Sequence, residues 1–574
     1  IKNYDLKGKI KDGKIKFRNH NIKKINFQFL INEENYIINN MELNFNNFEL
    51  LSKRIEIDKQ NNQHLIKGSF ENQNSSLKPN DLSKIFNIEI QNLIKENIDL
   101  ETKSEFSFIL SKKLKIENLK FNSKIKINKV NVDYNSKDIR NFFPTYEDII
   151  KFSDLELDLN YLKNLYTVKA KTKYSINDKS DNLLFNFEQK KNEKNFNLKF
   201  DIDNIKMDLK MLDYNKLENT KAFIDISGTI KNNKTKIKKL IYKSEGDLID
   251  FSNISLSSKY KLIGIDQFKV NYKNRNELEV SYSLKRNKDK YQLAGNLLDF
   301  TKYLSDLLKS DEDENLLKYF SNLNTSIKIN LDKVHLNKND HLVSLNGNLL
   351  IKENKIQQAN LESYFSNNDK FFFTINSSNQ EKVTTLYSDN AEPFVKIFDF
   401  VKDFENGTLD FYSVKKNNVS NSKIKLNNFK LKDVPVLTKL LSLASLQGIA
   451  DLMTGEGIRF DDFEMIFRNE NKLMTIDEIY SIGPAISVLM SGYVEKNKLI
   501  SLRGTLVPAT TINKFIGKIK IIGDILVGKK KGEGVFGVSF KIKGPPKNLK
   551  TTVNPIKTLT PRFITRTLEK IKKN

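Results

Sequence analysis

Apolar and polar residues alternate one by one along most of this chain. Phe196, Leu198, Phe200 and Ile202 fall on one side of the pattern, and Asn197, Lys199, Asp201 and Asp203 on the other. After a one-residue slip at Asn204, Met207, Leu209 and Met211 resume against Lys206, Asp208 and Lys210. Leu155, Leu157 and Leu159 alternate with Glu156 and Asp158, and the same rhythm recurs at Ile125-Lys126-Ile127, Phe106-Ser107-Phe108 and Ile327 to Leu331. Strict alternation predicts antiparallel strands with one apolar and one wetted face. The turns between them are rich in Asn, Asp and Lys. Asn and Asp tolerate left-handed backbone geometry and so can replace glycine there.

Three segments depart from this rhythm toward helix. Leu297 to Phe320 reads as one or two helices broken at the acidic run Asp311 to Glu314. Ala391 to Phe404 reads as another, with Pro393 in its first turn and Gly407 past its end. A weaker one lies around Asp81 to Leu93. Setting aside roughly 80 helical residues leaves about 30 strands in the first 430 residues, or a sheet on the order of 140 Å long at ~4.8 Å per strand. Ordinary open sheets of more than ~10 strands curl or split. The expected fold is therefore mainly β: a row of sandwiches or barrels, or one long curled antiparallel sheet with its apolar face inward. Apolar surface on that scale needs a cover, or it is a binding site.

Composition divides the chain. Thirteen of the 22 glycines and seven of the 10 prolines lie after residue 430, so two differently built parts meet near Asp433. At 574 residues the chain exceeds what one compact core supports. With no cysteine, neither a disulfide framework nor a thiolate metal site is available. Lysine supplies 86 of the 96 basic residues and arginine only 10, and the lysines alternate with apolar residues instead of clustering. The net charge of +25 therefore reads as a solvated lysine-rich face and not as a nucleic-acid surface. No run of about 20 apolar residues occurs, so no segment reads as a membrane-spanning helix.

Candidate chemistry is sparse. Gly532-Glu533-Gly534-Val535-Phe536-Gly537 matches a dinucleotide fingerprint in letters, but Val538 to Gly544 alternates like a strand where a helix would be needed. Asp311 to Glu314 lacks the spacing of a calcium loop. His335 and His341, with Asp332 and Asp340, match no metal-ligand spacing and read as surface histidines. Neither a metal, a cofactor nor a catalytic group is expected, and an enzyme reading has no residues to stand on. Two apolar stretches remain. Val436, Leu437, Leu440, Leu441, Leu443 and Leu446 form a helix apolar over most of its circumference, which is either a core helix or a cap over an apolar opening. After Pro561, Phe563, Ile564, Leu568 and Ile571 are interspersed with Arg562, Arg566 and Lys570. That tail reads as a basic amphipathic helix able to lie on an anionic membrane, or as one packed on the last strands.

Residues 391–561 resemble the C-terminal region of the bacterial AsmA-like superfamily, closest to its YhdP/TamB-type envelope proteins. The resemblance rests on Pro435-Val436-Leu437 with Leu440 to Leu446 and Gly448, then Gly455-Glu456-Gly457-Ile458 and Gly483-Pro484-Ala485. It continues through Leu502-Arg503-Gly504-Thr505, Val507-Pro508, Gly523, Val553-Asn554-Pro555 and Pro561. Residues 1–390 resemble the family only in architecture. The resemblance implies an elongated, taco-like β-groove with a few short helices, periplasmic and held to the inner membrane by a segment upstream of Ile1. It implies movement of phospholipid between inner and outer membranes, with a membrane at each end and no catalysis. Phe196, Leu198, Phe200, Ile202, Met207, Leu209, Leu155, Leu157 and Leu159 are then the groove candidates, Val436 to Leu446 the end cap, and 562–574 a membrane-surface tail. The alternative is an envelope scaffold or assembly factor that binds an outer-membrane protein by edge-strand addition.

Overall fold

The structure, a computed structural model, describes residues 4–17, 20–60, 63–86, 88–177, 179–301, 317, 320–378, 380–395, 403–432, 457–496, 498–508, 538–546 and 548–554. The protein is mainly β. Among the described residues, 31 strands belong to one open sheet and two more form a small separate ladder. The chain divides into two compact units, Ile1–Ser283 with Tyr319–Ser321, and Leu284–Lys318 with Asn322–Asn574.

In the first unit, β1 (Leu6–Phe17), β2 (His20–Ile31), β3 (Asn35–Phe45), β4 (Phe48–Gln60) and β5 (Gln63–Leu77) form an antiparallel meander. It continues through β6 (Ile98–Ser111), β7 (Ile116–Asp133), β8 (Ile149–Leu162), β9 (Leu165–Ser175), β10 (Asp181–Lys190) and β11 (Glu193–Asp201). The chain then leaves the sheet to make the two short strands β12 (Met207–Leu209) and β13 (Tyr214–Lys216). It re-enters as β14 (Ala222–Lys231), β15 (Lys234–Ser244), β16 (Leu248–Leu256), β17 (Leu262–Gly264) and β18 (Gln267–Lys273).

Asparagine does replace glycine at the turns. Twenty of the thirty non-glycine residues with positive φ among the described residues are Asn or Asp. At Asn46-Asn47, Lys163-Asn164 and Asn232-Asn233 both residues of a two-residue hairpin have positive φ, as the primed turns matching strand twist require. This is how so many strands coexist with so little glycine.

Helical expectations fare less well. The segment around Asp81 is helical only over α1 (Pro79–Phe86). A second helix, α2 (Lys137–Phe142), escapes the periodicity because six residues are too few to show one. Its local signals are Ser136, whose hydroxyl accepts from the Ile139 N–H, and Pro144 just past its end. Leu297 to Asp299, expected in a helix, end the strand Lys290–Asp299; of Ala391 to Phe404, the described residues hold the helix Glu392–Val395 and the start of a strand at Phe404. Residues 302–316 and 396–402 lie outside the described residues.

The second unit repeats the antiparallel theme from Thr325–His335 through Lys550–Asn554, with one exception. Lys290–Asp299 pairs in parallel with Thr325–His335, Leu293 opposite Ile329. Parallel neighbours need a long crossover, and the intervening 25 residues supply its length. The core here is a run of cross-strand neighbours: Phe411, Ile424, Met465, Ile479 and Met490. Beside it Phe404, Phe429 and Phe460 stack at centroid spacings of 5.1 and 5.3 Å.

Candidate functional site

Register converts the alternation of the first unit into a continuous apolar face. Ile125, Leu157, Ala170, Phe185 and Leu198 are successive cross-strand partners, and the row runs on through Ile226, Leu240, Phe251 and Phe268. One step along the strands lies a parallel row of Leu159, Val168, Phe187, Phe196, Gly228 and Ile237. Leu155, Leu157 and Leu159 thus share one surface with Phe196, Leu198 and Phe200, three strands away. Apart from buried Ile125 and Gly228, these positions are half-buried, so the face is not sealed by a second layer. Gly228 makes room in it. A Cβ there would come within 2.8 Å of the Phe196 ring tip and 2.6 Å of the Lys236 carbonyl oxygen.

The two ends of the face differ. Toward α1 and α2 it is closed. Leu82 of α1 packs into a core with Leu77, Ile98, Leu100 and Ile125, and Leu155, Leu157 and Leu159 lie along its margin. The excursion after β11 folds back over the strand ends, burying Ile202, Ile205 and Met207 at 0%, 1% and 2% exposure with Tyr174, Tyr214 and Tyr242. Ile202 and Met207 are therefore core residues without surface to offer a ligand. Leu209 packs half-buried against the same core. The continued strand expected over Met207 to Met211 stops at Leu209, turns through a 3-10 segment at Lys210–Leu212, and leaves Met211 exposed. Phe200 marks the boundary, its ring edge-on to Tyr174 at 6.0 Å.

A polar clasp holds the excursion. Lys216 is 2% exposed, and its Nζ donates to the carbonyls of Asp203, Ile205 and Leu217 at 3.0, 3.1 and 2.9 Å. Burial pulls its pKa below the ordinary lysine value, while Asp181, Asp203 and Glu218 pull it back up. The Asp181 carboxylate accepts from the Asn204 backbone and side-chain amides, and burial raises its pKa. Burial, reinforced by Asp181, Asp201 and Asp203, also pushes the Tyr174 phenol strongly up, so it stays a neutral donor to the Asp201 carbonyl. None of this is visible in the alternation, because it joins residues that are polar in the pattern yet buried in the fold.

At the opposite end the apolar rows give way to Tyr161, Tyr166, Gln189 and Lys194, again successive partners on the same side. Behind them the wetted face is an ordinary polar sheet surface. There Asn197 and Lys239 both donate to the Asp225 carboxylate, at 3.2 and 2.9 Å.

The other motifs separate. His335 and His341 are direct cross-strand partners with ring centroids 5.7 Å apart. His335 is not on the surface as its polar context implied: it is 7% exposed, and burial with Lys333 lowers its pKa. Among the described residues no three His, Cys, Asp or Glu side chains gather to hold a metal ion. Val538–Gly544 is the strand its alternation predicts, while the glycine run before it lies outside the described residues. The helix from Val436 to Leu446 and the tail with Arg562, Phe563, Arg566 and Lys570 also lie outside them. Among the described residues no helix is long and apolar enough to cross a membrane. No family model matches the chain, and no curated protein matches it.

Proposed function

We propose that the half-exposed face of β7 to β18 holds the acyl chains of phospholipids, and that the chain is the groove of an AsmA-like protein carrying lipid between the two membranes of a bacterial envelope. The observation that carries this reading is the unbroken apolar row from Ile125 to Phe268, nine strands long and half-open. A transport track needs such a surface, because each methylene kept from water is worth ~0.8 kcal/mol. Depth fits as well. From Lys194 to Phe200 the strand spans about 20 Å, somewhat more than the ~15 Å of one leaflet's hydrocarbon. Curling of the sheet about this face into a trough, the inner-membrane anchor and the periplasmic location rest on the resemblance of residues 391–561. A headgroup left at the open border stays hydrated and avoids the cost of burying a charge.

The test is mass spectrometry of lipid bound to the purified chain, with a photo-crosslinkable residue at Leu198. Leu198 is the better probe than Phe200, whose ring packs against the closed core. Replacing Phe185, the cross-strand partner of Leu198, with Asp should abolish lipid crosslinking from the probe at Leu198 and leave the melting profile near that of the unaltered protein, since the site is half-open to water. Crosslinks to a protein strand with no lipid recovered would instead favour the scaffold reading.

A further inference from the structure

From β5 to β18 the antiparallel meander sorts its turns between two edges of the first unit, and over these strands charge follows the sorting; the earlier hairpin at 31–35, on the same edge as the hairpin at 111–116, holds Glu33 and Glu34 instead. Tight hairpins at 111–116, 162–165, 190–193, 231–234 and 256–262 fall at the edge beyond Tyr161, Tyr166 and Lys194. They hold ten lysines and a single acid, Glu193, and all ten lysines are exposed. The connections at 77–98, 133–149, 175–181, 201–222, 244–248 and 273–279 fall at the other edge, where α1, α2 and the excursion close the apolar face. They hold eighteen Asp and Glu against twelve Lys and Arg. Lysine scattered evenly along the sequence therefore becomes one basic edge and one acidic edge in the fold.

From this we infer that the basic hairpin edge is a headgroup rail selecting phospholipids of net negative charge, their tails lying over the apolar rows. The inference rests on the lipid reading above and adds the class of headgroup. Three features converge on it. The apolar face is packed over at its acidic end, and among the described residues no helix or excursion of the first unit covers its lysine end, so a tail laid along the strands leaves its headgroup at the basic edge. Tyr161 and Tyr166 stand between, amphipathic rings of the kind that favour an interface between hydrocarbon and water. Lys194 lies on the apolar side of its strand, two residues from Phe196, and can reach outward along its own stem. Lysine suits sliding as well, since a point charge on a flexible stem holds a phosphate without a fixed bidentate geometry.

Binding of phosphatidylglycerol and phosphatidylcholine with identical chains to the full chain would be compared at low and high salt. Lys163, Lys191, Lys234 and Lys259 would be changed together to Gln. A control would change Lys124, Lys126, Lys169 and Lys171, which lie on the wetted face. The unaltered protein and the control should prefer the anionic lipid by at least about tenfold at low salt, falling as salt screens the edge. The edge variant should lose that preference and keep its affinity for phosphatidylcholine. Equal binding of both lipids by the unaltered protein, or equal loss in the control, overturns the rail while leaving the lipid reading intact. Failure to bind either lipid overturns both.

Discussion

Replacing Lys216 with Met should release the excursion that closes the apolar face. The substitution keeps the apolar stem and removes an ammonium that donates to three carbonyls, two of them across the loop at Asp203 and Ile205. Hydrogen bonds from a charged donor contribute ~1.5–3 kcal/mol each, so the two long-range bonds are worth about 3–6 kcal/mol. Removing the ammonium also relieves the unfavourable dehydration of a charge 2% exposed, which returns on the order of 1–2 kcal/mol. The net loss is about 1–5 kcal/mol, felt in the first unit. Hydrogen exchange of amides in 201–222 and in β9 to β14, read alongside denaturant unfolding, measures it. The pH dependence adds a second readout. The folded pKa of Lys216 lies below the unfolded value of 10.5, so the unfolded chain holds more protons in between. Stability contributed by this group therefore rises with pH across that window, and the Met variant should lack that rise. A change under about 0.5 kcal/mol with unaltered exchange at 201–222 would show that the clasp does not hold the excursion.

Two further outcomes follow from packing and burial. Gly228→Ala should cost roughly 1–3 kcal/mol, because a methyl group there meets the Phe196 ring and the backbone of Lys236, and the backbone cannot retreat; thermal unfolding reads this, and a neutral result would mean the strands part easily. In the second unit, burial holds His335 neutral below its ordinary pKa, so the unfolded chain binds a proton that the folded chain resists. Stability is lost as pH falls from 6.5 toward the lowered value, and His335→Leu should flatten that slope, leaving the part due to His341. Hydrogen exchange of Thr325–His335 between neutral and mildly acid pH checks this.

The alternation at Phe196 to Ile202 makes a strand with one apolar face unavoidable, and Asn-Asn pairs such as Asn46-Asn47 and Asn232-Asn233 make hairpins elsewhere in the sheet tight. Both are local consequences of side-chain period and backbone preference. Local pattern is silent on what lies over an apolar face. Phe196, Leu198 and Ile202 are equivalent in sequence, yet the first two are half-open and the third is fully enclosed, because a loop that reads as more strand folds back and is fastened by a lysine that reads as solvated. Leu297 to Asp299 read as helix and pair as a parallel strand for a similar reason. Their partners, Lys333 to His335, lie 36 residues on, and no local window of sequence contains both.

The sequence by itself thus determined the strands, their apolar side and most of their turns, since these depend on neighbours one to three residues apart. Only the tertiary structure decided which apolar residues stay open and that the lysines gather at one edge. Register and the antiparallel sorting of turns set both, by bringing together residues that lie tens of positions apart in the chain.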